Sequence, residues 1–78
     1  MPRDLNGQEL VKYLKPYGYI ITRQTGSHIR LTTQLNGEHH ITVPNHKLLK
    51  IGTLASILSE IADHLNSTKE LLLQELFG

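Results

Sequence analysis

His28-Ile29-Arg30-Leu31-Thr32-Thr33-Gln34-Leu35-Asn36-Gly37-Glu38-His39-His40-Ile41-Thr42-Val43-Pro44 is the stretch that decides the fold. His28 to Leu35 alternates in character. Ile29, Leu31 and Thr33 fall on one face, and His28, Arg30 and Thr32 on the other, which is the period-two pattern of a half-buried strand. Asn36-Gly37 then reads as a hairpin turn, because both residues tolerate positive φ. The returning strand, Glu38 to Val43, directs Ile41 and Val43 to the core and His40 and Thr42 to the opposite face. His39 falls on the covered side, at its boundary. Pro44 closes the strand, since it has no N–H to give to a ladder.

Upstream, Tyr19 to Gln24 is rich in Ile, Thr and Tyr and predicts a first strand, joined to the second by Thr25-Gly26-Ser27. Ahead of it, Asn6 and Glu9 have the spacing of a capping box, with Leu5 and Leu10 as the staple. Leu10, Leu14 and Tyr17, with Val11 beside them, make one apolar helical stripe that Pro16 and Gly18 end. Downstream, residues 44–51 form a basic loop. A helix is expected from about Gly52 or Thr53, carrying Leu54, Ile57, Leu58, Ile61 and Leu65 at helical spacing. Ser67 and Glu70 suggest a second capping box, opening a last helix over about 67–77 that holds Leu71, Leu72, Leu73, Leu76 and Phe77.

The order α-β-β-β-α-α predicts an α+β fold. A three-stranded antiparallel sheet carries helices on one face and leaves the other open to water. The 78 residues are expected to form a single domain, 1–78, with its core over about 5–65. There is no cysteine, so disulfides and thiolate metal sites are excluded. No apolar run approaches the ~20 residues a membrane span needs. Met1-Pro2-Arg3-Asp4 has no apolar segment behind it and does not read as a signal peptide. A cytoplasmic, membrane-free protein is expected.

Charge is uneven. Residues 1–50 hold seven Lys/Arg against three Asp/Glu, net +4, and residues 51–78 hold one Lys against four acids, net −3, for the overall +1. The basic part also carries His28, His39, His40 and His46. A basic portion of this kind suits a polyanion, and chance variation along a short chain is the bland reading of it.

The open face would present His28, Arg30, Thr32, His40 and Thr42, with Arg23, Ser27, His46 and the loop lysines Lys47 and Lys50 at its edge. Imidazoles among cations and hydroxyls suit RNA cleavage through the ribose 2′-OH. That chemistry needs a base, an acid and positive charge near the phosphorane. A solvated polar face with no chemistry is the competing reading. A metal site fits less well. His39 and His40 point to opposite faces, Glu38 is the one carboxylate in the strands, and Arg30 and Lys47 would repel a dication.

Gly18, the run Arg23-Gln24-Thr25-Gly26-Ser27-His28, the run Thr42-Val43-Pro44-Asn45-His46, and Lys50-Ile51-Gly52-Thr53-Leu54 followed by Ile57-Leu58 form an ordered set. On these residues the chain resembles the HicA toxins, over about residues 5–62. The resemblance implies a double-stranded-RNA-binding-domain-like fold and mRNA interferase activity, a metal-independent RNA endonuclease with no cofactor. It implies His28 as the catalytic residue and a HicB-type antitoxin that covers the active face. Arg23, Ser27, Arg30, Lys47 and Lys50 are then candidates for RNA phosphate contacts. His40 or His46 is the candidate second acid or base. Gly26 would permit the turn that presents Ser27 and His28. Gly52-Thr53 would start a helix, either beside a phosphate or for packing alone. The leucine-rich last helix departs from many members of the family. It would pack back on the core, form a dimer contact or meet the antitoxin. A non-catalytic RNA-binding domain is the alternative function, and a pure protein-binding module is a third.

Overall fold

Asn6 opens the first helix. Its Oδ1 accepts the Glu9 N–H at 2.7 Å, and Glu9 Oε1 accepts the Asn6 N–H at 2.9 Å, so the capping box is complete. The computed structural model describes residues 4–78; Met1-Pro2-Arg3, part of the N-terminal segment that does not read as a signal peptide, lie outside the described residues. Helix α1 spans Gly7–Leu14 and tightens into a 3-10 turn over Lys15–Tyr17, where Pro16 cannot continue an α-helical bond. Strands β1 (Ile20–Thr25), β2 (His28–Thr33) and β3 (His39–Pro44) follow, then helices α2 (Ile51–His64) and α3 (Lys69–Phe77). The sheet order is β1-β2-β3, antiparallel throughout.

Alternation settles the register of β2 on β3. Leu31 lies opposite Ile41 and Ile29 opposite Val43, all four buried. A two-residue turn at Asn36-Gly37 would instead oppose Thr33 to His40, setting a core position across from an open-face one. The chain resolves this with a five-residue connection, Gln34 to Glu38, so β2 ends at Thr33 rather than Leu35 and β3 begins at His39 rather than Glu38. Asn36 and Gly37 keep the positive φ expected of them, at 59° and 96°. The connection is fastened to the end of α2. Asn36 Nδ2 donates to His64 O at 2.7 Å, and His64 Nε2–H donates to Leu35 O and Gly37 O at 2.9 and 3.0 Å. The His64 ring also stacks on His39, with centroids 4.4 Å apart.

The helices lie over β2 and β3, and β1 is exposed along its length. Leu10, Leu14, Tyr19, Ile29, Leu31, Val43, Leu54, Leu58 and Ile61 are fully buried in one cluster. Close approach fixes one glycine here: a Cβ on Gly7 would run into the Pro44 carbonyl oxygen, so α1 can start against the end of β3 only without a side chain. Thr33 is buried as well, and its hydroxyl donates to Tyr17 O at 2.9 Å while accepting the Leu35 N–H at 3.0 Å.

Two helix starts differ from the sequence reading. Helix α2 begins at Ile51, one residue before Gly52, with Lys50 as an N-cap that offers no side-chain bond. Helix α3 is capped by Thr68, whose Oγ1 accepts the Leu71 N–H at 3.1 Å, and not by a Ser67–Glu70 box. Ser67 is otherwise engaged, its N–H reaching back to Ala62 O to close α2. Helix α3 packs onto the molecule's own core. Leu72 is 1% exposed, Leu73, Leu76 and Phe77 lie against the core, Phe77 meets Tyr13 edge-on at 4.9 Å, and Tyr17 Oη donates to Glu75 at 2.7 Å. Burial, with the Glu75 carboxylate second, pushes the Tyr17 phenol up to about 12.

Candidate active face

The uncovered face of the sheet is built from alternate residues of three strands, and one irregularity decides what β1 adds to it. Ile21 pairs with Leu31, but Arg23, not Thr22, pairs with Arg30, so Thr22 is an extra residue in a β-bulge. Without the bulge, Arg23 and Thr25 would turn to the helix side. With it, Thr22, Arg23 and Thr25 all stand on the open face, Thr25 directly across from His28. Nothing in Ile21-Thr22-Arg23 marks such a bulge in the sequence, which is why Arg23 was expected only at the margin.

The face has two ends. At one, the turn Gly26-Ser27 joins β1 to β2, with φ of 52° at Gly26 and open space around it. Positive φ at the first turn position alone matches a type II′ hairpin turn. His28 follows, paired on one side with Thr25 and on the other with Pro44, so its backbone lies within the sheet while its side chain is exposed. Neither ring nitrogen of His28 has a hydrogen-bond partner among the described residues. The Asn45 N–H donates to Ser27 O at 2.6 Å, which ties the segment carrying His46 and Lys47 to this turn. That segment is held from behind as well, since the Gly7 N–H donates to His46 O at 3.0 Å. His46 and Lys47 are both exposed.

At the other end His40 is bound on both sides. Its Nε2 donates to Glu38 Oε2 at 2.9 Å, its Nδ1 lies 2.8 Å from Thr32 Oγ1, and Thr32 Oγ1 lies 2.8 Å from Thr22 Oγ1. This chain explains why Thr32, an open-face residue, is only 8% exposed. Glu38 is held below its ordinary carboxyl value, first by the bond to His40, then by Gln34, with Arg30 contributing at longer range. His40 pairs with Thr32, four residues along β2 from His28. At about 3.3 Å per residue the two histidines stand roughly 13 Å apart, too far to serve one phosphate together. Of the two sequence candidates for a second acid or base, the register keeps His40 away from His28, while the Asn45–Ser27 bond ties the backbone beside His46 to the turn beside His28.

Between the ends, Arg23 and Arg30 are direct cross-strand partners, and both line a recess of about 300 Å³ with Thr22, Thr32, Glu38 and His40. Like charges opposite one another weaken a sheet unless an anion lies between them. The one ion pair among the described residues is His40–Glu38, so Arg23, Arg30, Lys47 and Lys50 are without a carboxylate partner. Ser27 is exposed in the turn, and Lys50 precedes α2. No group of three or more His, Asp or Glu stands close enough to hold a metal among the described residues.

A family model, the HicA toxin of bacterial toxin–antitoxin systems, matches residues 7–62. The chain belongs to the HicA toxin family. The match runs from the first residue of α1 almost to the end of α2, so it takes in both ends of the open face and leaves out α3. Membership makes the protein a toxin of a toxin–antitoxin system, with an antitoxin as its partner. Comparison with curated proteins and with solved structures gave no match. Sequence reasoning placed His28 on the open face of the sheet, where the register puts it. It missed Glu38, Thr22 and Thr32 as the partners that occupy His40, and it missed His64. The Glu38–His40 spacing of two residues on one strand face was a signal that could have found the first of these.

Proposed function

We propose that this HicA toxin is a metal-independent RNA endonuclease, an mRNA interferase, with His28 as its general acid–base. One observation carries the reading: His28 is an exposed imidazole with both nitrogens free, held in a paired hairpin on the same face as Arg30 and Arg23, which have no carboxylate partner. In the reaction a base takes the ribose 2′-OH proton and the 2′-oxygen bonds to phosphorus. The P–O5′ bond then breaks, and an acid protonates the leaving 5′-oxygen. His28 takes one of these proton transfers and His46 the other. Arg30, Arg23 and Lys47 offset the charge that grows on the phosphorane, and Ser27 and Lys50 contact neighbouring phosphates. No step needs a cofactor. The substrate is mRNA in the cytoplasm, and the antitoxin is of the HicB type. No described helix is long and apolar enough to cross a membrane.

The test is cleavage of a long mRNA in EDTA by the wild type and by His28→Ala, with RNA binding measured on both. Cleavage by the first and not the second supports the reading. Binding by both with cleavage by neither replaces it with a non-catalytic RNA-binding domain. Growth arrest on induction of the wild type, absent for His28→Ala at equal soluble level, tests the toxin role in cells.

A further inference from the structure

The sheet has two free edges, and they are not alike. The edge at β1 carries a bulge and Arg23, devices that discourage pairing with another strand. The edge at β3 has neither. Its six residues pair with β2 in unbroken register. Asn45 and Ser27 form a hydrogen-bonded pair, and so, at every second position, do Val43 with Ile29 and Ile41 with Leu31. The residues between them turn their backbone groups away from β2. His40 and Thr42 therefore present two N–H and two C=O groups outward, and Pro44 stands where its missing N–H costs nothing.

These groups border a groove of about 770 Å³ between β3 and the face of α2 that carries Gly52, Ser56 and Glu60. Nothing lies within 4 Å of the Cβ position of Gly52. A strand edge beside a helix face with small residues is the geometry in which an extended peptide adds to a sheet.

We propose that the free edge of β3, with the groove beside α2, receives an extended acidic segment of the antitoxin as a fourth strand. Alternating outward N–H and C=O groups match a polypeptide backbone. The outward carbonyls disfavour an RNA strand, whose phosphates need donors only; Glu60, on α2, borders the helix side of the groove, where the added strand carries apolar side chains. Residues of the added strand that face the open side come beside Arg30, which has no carboxylate partner, so acidic side chains fit there. Residues on the other side lie over Gly52 and Ser56, where apolar side chains fit. A strand in this position continues the sheet past Arg30 and so reaches the face that bears His28. The inference takes its partner from the toxin–antitoxin family and does not depend on RNA cleavage.

Amide hydrogen exchange on the intact chain tests it. In the free protein the His40 and Thr42 amides exchange at least ~tenfold faster than those of Ile41 and Val43. The probe is an acetylated peptide alternating Asp and Val, long enough to span His40 to Pro44, at millimolar concentration. Supporting results are a slowing of the His40 and Thr42 amides by at least ~tenfold on adding the peptide, abolished at both by Ser56→Tyr and abolished at His40, the remaining outward amide, by Thr42→Pro. Thr42→Pro removes an outward N–H and no ladder bond. Ser56→Tyr fills the groove and leaves the edge untouched, so a folding defect in one variant does not spoil the test. Absence of slowing overturns the proposal. So does equal slowing by an oligouridylate, which makes the groove an RNA site, or by raising protein concentration alone, which makes it a dimer contact. Loss of RNA cleavage with peptide protection intact would strike the proposed function alone, and the converse result would strike this inference alone.

Discussion

His28 and His40 stand on the same face of one sheet, in similar strands, and are in opposite chemical states. His40 has an acceptor carboxylate on one nitrogen and a hydroxyl relay on the other. His28 has neither, and the structure instead spends its hydrogen bonds on the backbone around it. The contrast separates a histidine that organises a surface from one available to a substrate. Histidine on a polar face is not informative by itself; the bonds already made by its ring are.

The comparison can be broken by mutation. His28→Ala should lower RNA cleavage by about 10²–10⁴-fold, the usual contribution of a general acid or base, with the melting temperature unchanged. His40→Ala should lower cleavage by less than about tenfold, through Arg30 and the relay, while lowering the melting temperature, because Thr32 loses a bonded partner. If the two variants exchange these behaviours, the assignment of the ends is wrong. A smaller effect sharpens the picture of the ground between them. Arg30→Ala and Arg23→Ala should each reduce the slope of log affinity against log salt by about one and weaken binding for every RNA sequence alike.

The smallest expected effect belongs to the covered side of the same strand. His39 bonds Tyr19 Oη at 2.8 Å and stacks on His64, and burial, then the neighbouring His64, holds it below its ordinary value of 6.5. Glu60 pulls the other way, and His40 adds to the depression. A base with a lowered folded value contributes stability that is complete above 6.5 and lost as pH falls below it. Melting temperature should therefore fall by a few degrees from neutral pH into the acid range, and less so in His39→Gln, measured by circular dichroism.

Much of this was legible in the sequence. The Asn6–Glu9 box, the alternation through β2 and β3 and the apolar stripe of α2 all rest on local spacing, and local spacing is what a sequence displays. The sides of the sheet taken by His28, Arg30, His39 and His40 followed from the same alternation. The misses share a different cause. The clamp of His64 on the β2–β3 connection joins residues nearly thirty positions apart, and the bulge at Thr22 depends on how β1 meets β2. The choice of Thr68 over Ser67 turned on which of two adequate caps the path out of α2 left free. The loss of His40 as a free acid–base needed the register, since Thr32 reaches it only across the strand pair.

The tight turn at Gly26-Ser27 has a consequence for control. The backbone of His28 is set in place by pairing on both sides, so under the proposed function the site has its frame once the sheet forms. A backbone frame held in one arrangement offers an effector no second state to select. Under the proposed function, control therefore falls to stoichiometry: cleavage is expected to be silent while the antitoxin is in excess and to rise above a threshold set by the ratio of the two.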